Sequence, residues 1–66
     1  MNIILNGKPK EIRSTLNIQS AVELLCKNEG PVIAELNGEI IKAPQWEKTA
    51  LKEGDVVEFV SFVGGG

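Results

Sequence analysis

"PVIAELNGEIIKAP", Pro31–Pro44, decides how this chain folds. Val32, Ala34 and Leu36 share one face of an extended segment, and Ile33 and Glu35 share the other. Asn37-Gly38 follows at once. Both residues tolerate positive φ, so the pair predicts a two-residue hairpin turn. On the returning strand Lys42 assigns Ile40 to the outer face and Ile41 to the inner one. A half-buried β-hairpin results, and a hairpin needs further elements over its apolar face.

Working toward the N-terminus, "NIILNGK" (residues 2–8) repeats the pattern. Ile3 and Leu5 face one side; Asn2, Ile4 and Asn6 face the other. Asn6-Gly7 is the turn, and "KPKEIR" (residues 8–13) is the returning strand. Pro9 has no N–H to give a ladder, which points to an edge position or a gap in the pairing. Between the hairpins the period changes. Ile18, Ala21, Val22 and Leu25 follow helical spacing, with Leu24 and Cys26 on the flanks. Asn17 is a good N-cap, Gly30 a good C-terminal stop, and Pro31 prevents resumption. A helix over residues 18–28 is expected, long enough to cover one sheet face.

Toward the C-terminus, "PQWEKT" (residues 44–49) reads as a short irregular or single-turn segment, with Trp46 closing an end of the core. "KEGD" is a turn, and a last strand begins at Val56. Glu58 must face water, so Val57 and Phe59 are the inward pair. Val60 and Phe62 are then forced outward by the period of two. With Ile33 or Ile40 they form an exposed apolar patch, which marks a partner surface. The order hairpin, helix, strands, final strand predicts an α+β fold: a sheet of four to five strands with one main helix on one face.

Composition narrows the function. The chain has 66 residues and 42% hydrophobic residues, enough for a single small domain that must use nearly all its apolar side chains. Its net charge is −2 with no basic cluster, which argues against nucleic acid. Its apolar runs are too short for a membrane span. One cysteine excludes an internal disulfide and fits a reducing cytoplasm. The absence of histidine removes the commonest metal ligand and general base, so neither a metal site nor a self-sufficient enzyme is expected. Cys26 and Trp46 are read as core residues, and the two Asn-Gly pairs as turn chemistry.

The end of "VVEFVSFVGGG" (Val56–Gly66) is different. Three glycines add chain entropy and bury no apolar surface. They offer a thin peptide whose α-carboxyl, with a reference pKa of about 3.3–3.7, is ionised near neutral pH. A carboxylate attacks phosphorus readily, yet its own carbonyl is inert because oxide does not leave. Attack on the α-phosphate of ATP would produce a mixed anhydride with a good leaving group, open to a thiol or persulfide.

The hairpin–helix–hairpin–strand order together with "NGEII", the tryptophan segment, "EGDVVE" and "FVGGG" resembles the ThiS family, the sulfur carriers of thiamin biosynthesis. The resemblance covers the whole chain. It implies a β-grasp (ubiquitin-like) domain over residues 1–63 and a flexible glycine tail over 64–66. It implies that Gly66 is adenylated by a ThiF-like enzyme and converted to a thiocarboxylate that donates sulfur to the thiazole ring. Gly64 and Gly65 would serve in tail recognition, and Val60 and Phe62 would contact the activating enzyme. No cofactor is expected on the carrier, since ATP belongs to the activating enzyme. The implied partners are that enzyme, thiazole synthase (ThiG), and a cysteine desulfurase or other sulfur donor. Two readings share the same tail chemistry: a molybdopterin synthase small subunit, and a ubiquitin-like modifier joined to lysines. An interaction module with an idle tail is the fourth.

Overall fold

Both Asn-Gly pairs make the turns that their sequence dictates. Asn6 and Gly7 have φ of 50° and 81°, and Asn37 and Gly38 of 52° and 89°, the left-handed pairing that matches strand twist in a two-residue hairpin. In the computed structural model, which describes residues 1–13, 16–25 and 31–61, these turns join β1 (Asn2–Leu5) to β2 (Lys8–Glu11) and β3 (Val32–Leu36) to β4 (Glu39–Ile41). The last strand, β5, runs over Val56–Ser61. All five strands form one mixed sheet in the order β2-β1-β5-β3-β4. The α+β expectation holds, with the sheet at the upper end of its expected strand count.

β5 is the central strand. It runs parallel to β1, with Ile4 level with Val56, and antiparallel to β3, with Ala34 level with Phe59. Pro9 lies on the edge strand β2, opposite Ile4. Backbone bonds join Met1 to Ile12 in both directions, at 2.7 and 2.8 Å. Strict alternation from that bonded pair leaves Ile4 and Pro9 as a non-bonded pair, so the proline nitrogen faces the open edge and no ladder bond is lost.

The helix α1 spans Ile18–Leu25. Asn17 caps it as expected: its Oδ1 accepts from the Ser20 N–H at 2.7 Å. The same side chain donates through Nδ2 to the Glu47 carbonyl at 3.1 Å, tying the helix start to a 3₁₀ segment, Ala43–Lys48. Ile18 and Ala21 are buried and Val22 and Leu25 pack partly buried beside them, as the spacing requires, while Leu24, expected on the flank of that face, is exposed. The expected extension to residue 28, Cys26 as a core residue and the Gly30 stop lie outside the described residues.

The core forms where α1 meets the inner sheet face. Ile3, Ala34, Val57 and Phe59 from the strands join Ile18 and Ala21, with Ile12 and Leu51 from the connecting segments. Trp46 packs partly buried against this cluster, and its Nε1 donates to the Ile41 carbonyl at 2.7 Å, so its polar end is satisfied where its body fills the core margin.

Candidate functional site

The alternation along β5 produces a two-sided strand. Val57 and Phe59 are buried, while Val56 and Val60 are 44% and 47% exposed on the opposite face. Val60 pairs with Ile33 on β3, and Ile40 of β4 pairs with Glu35 on the same outer face. Val60 and Ile33 therefore form a cross-strand apolar pair, with the more exposed Ile40 one strand further out. Helix α1 covers the other face, so this one stays open. The patch expected from periodicity is present as far as Val60. Phe62, Gly64, Gly65 and Gly66 lie outside the described residues.

The strand that leads toward the glycines is held from both sides. Asn6 donates its backbone N–H to the Val57 carbonyl at 2.9 Å, and its side-chain Oδ1 accepts from the Phe59 N–H at 2.9 Å. That Oδ1 adds one rung to the parallel ladder beyond the end of β1. Asn37 does the same on the other flank. Its N–H donates to the Val56 carbonyl at 2.7 Å, and its Oδ1 accepts from the Val56 N–H at 2.9 Å. Its Nδ2 donates to Asp55 Oδ1 at 3.1 Å, while Asp55 Oδ2 accepts from the Lys52 N–H at 2.8 Å and closes the turn before β5. Both turn asparagines thus serve twice, once for positive φ and once as clamps on β5. Sequence reasoning identified only the first role. The second depends on β5 lying between the two hairpins.

Among the described residues no group of three or more His, Cys, Asp or Glu side chains is placed to hold a metal ion, and no helix is long and apolar enough to cross a membrane. The described surface thus presents an open apolar face and a central strand clamped from both flanks.

Solved structures share this arrangement along its whole length. The crystal structure of the thiamine biosynthesis protein ThiS from Geobacter metallireducens superposes with a TM-score of 0.85 at 38% identity, each chain covered completely. The NMR solution structure of a thiamine biosynthesis protein from the same organism gives 0.84 at 38% identity, covering all of this chain and 88% of that one. A thiazole synthase of Paramagnetospirillum magneticum is 27% identical over 66 residues; the chain spans only 20% of that relative's length. The ThiS family profile matches residues 3–66, from β1 through the last glycine. The mixed sheet with its single helix is the β-grasp that the resemblance implied, and the chain belongs to the ThiS family.

Proposed function

We propose that this chain is the sulfur carrier of thiazole formation and that the reactive group is the α-carboxylate of Gly66. The observation that carries the reading is the family match, which continues without a break from the folded body into the glycine segment. A carboxylate oxygen of Gly66 attacks the α-phosphorus of ATP and pyrophosphate leaves. The carbonyl carbon of the resulting acyl-adenylate is then open to a sulfur nucleophile, with AMP as leaving group. A persulfide donor leaves an acyl disulfide, which a thiol opens to the thiocarboxylate.

The body has separate tasks in this scheme. A ThiF-like activating enzyme supplies the ATP site and grips the outer sheet face at Val60 and Phe62. Gly64 and Gly65 present no β-carbon, so they pass through a channel too narrow for a side chain. The clamped β5 sets the direction from which the tail enters. The thiazole synthase relative supports the acceptor assignment, because it contains within a longer chain a stretch similar to this whole sequence. A cysteine desulfurase or similar donor, ATP and reduced thiols place the reaction in the cytoplasm. The carrier itself is a co-substrate and needs no bound cofactor.

Deletion of Gly66 tests this directly. Far-UV circular dichroism is expected to be unchanged, while ATP–pyrophosphate exchange by the ThiF-like enzyme is lost. Exchange at the normal rate without Gly66 would overturn the proposal.

A further inference from the structure

The register of the sheet contains one pairing that its own stability does not explain. Glu35 of β3 lies directly opposite Glu58 of β5, both on the outer face. Like charges directly opposite one another destabilise a strand pair. The neighbours do not relieve them. Val60 and Ile33 form the next pair outward along the same rows, and Ile40 sits across β4 from Glu35. Among the described residues, no outward position within the five strands carries a lysine or arginine. Lys8 and Lys10 pair with the inward Leu5 and Ile3 and so belong to the other face. Lys42 keeps the outward parity of Ile40 but stands one residue past the end of β4, and neither Glu35 nor Glu58 is paired with it in the ladder. The open face is therefore apolar residues around a doubled negative charge.

From this placement we infer that the outer face takes a protein partner that inserts a cationic side chain between Glu35 and Glu58, ringed by apolar side chains that meet Ile33, Ile40 and Val60. The inference deepens the proposed function and rests on it, the partner being the ThiF-like activating enzyme. Three arguments fix the partner's chemistry. The exposed Ile40, Val60 and Ile33, at 65%, 47% and 36%, give the patch an apolar reason to be covered. Covering it strips water from two adjacent carboxylates, and that cost is prohibitive unless the partner brings a positive charge. An arginine suits the site best, since its planar guanidinium presents donors to two carboxylates at once and tolerates partial desolvation. The same pair rejects purely apolar partners and anionic surfaces, so it contributes selectivity as well as attraction.

Glutamine substitution separates this role from a structural one, because the two make opposite predictions. Relief of the repulsion is expected to raise the melting temperature of the free Glu35→Gln and Glu58→Gln chains by a few degrees. Loss of the cation's partner is expected to weaken binding to the ThiF-like enzyme by roughly tenfold or more in calorimetry. Affinity of the wild-type chain should fall as salt is raised, and the double glutamine variant should lose most of that dependence. Dissociation constants within about twofold of wild type, with an unchanged salt dependence, would overturn the charged contact and leave docking by apolar contacts alone. Failure of the wild-type chain itself to bind would bring down the carrier reading, and this inference with it; variants play no part in that outcome.

Discussion

Asn6 and Asn37 show how much one residue type accomplishes in a domain of this size. Each occupies a left-handed backbone position, which asparagine tolerates better than most residues. Each also turns its side-chain oxygen onto a backbone N–H of β5. The two roles are separable. Asn6→Gly keeps the turn geometry and removes only the acceptor for the part-buried Phe59 N–H. We expect it to cost about 1–3 kcal/mol in urea unfolding, the penalty of leaving such a donor unpaired. An Asn6→Gly chain as stable as wild type would show that the bond to Phe59 contributes nothing. Val60 is the other residue whose role follows from a neighbour. Its exposure was readable from the sequence because Glu58, two positions earlier, had to face water. Reading Asn6 as a clamp was impossible on the same grounds, since its partner lies 53 positions away and on a strand whose neighbours local pattern does not reveal.

At the scale of the elements, both hairpins, the helix start and the parity of β5 follow from local rules. Asn-Gly pairs specify two-residue turns, and alternation assigns faces. Period, however, says which way a side chain points and not which strand lies beside it. The central position of β5, parallel to β1, therefore had no signature in "VVEFVS". Ile12 and Leu51 entered the core without any periodic signal, because they sit on connecting segments that tertiary packing buries. The helix start depends on both kinds of information. Asn17 caps α1 locally, while Ile18 N–H donates to Thr49 O and Leu51 N–H to Leu16 O, stitching the helix entry to the segment after the 3₁₀ turn. Asn17→Ala removes the cap and the bond to Glu47 together. A loss of about 1–2 kcal/mol is expected in chemical denaturation; an unchanged unfolding midpoint would mean that the stitching alone holds the helix in place.

In the proposed function the whole molecule divides structure from chemistry. Among the described residues its core is small, with Ile3, Ile18 and Val57 as the largest fully buried side chains, and it gains cohesion by clamping a central strand from both sides. The acidic apolar face is shared by β3, β4 and β5, and the glycine segment follows β5 in the sequence, so in the proposed function one strand joins docking to delivery. The ThiS assignment, the β-grasp and the sequence of the tail agree with this division, and the reactive carboxylate is its central claim. The direct test is the intact mass of the full chain after incubation with ATP, magnesium, the ThiF-like enzyme and a sulfur donor. The account predicts a product heavier by the difference between sulfur and oxygen, with the change confined to the fragment that contains Gly66. An unaltered C-terminal fragment, under conditions where the enzyme consumes ATP on an established carrier, would contradict it.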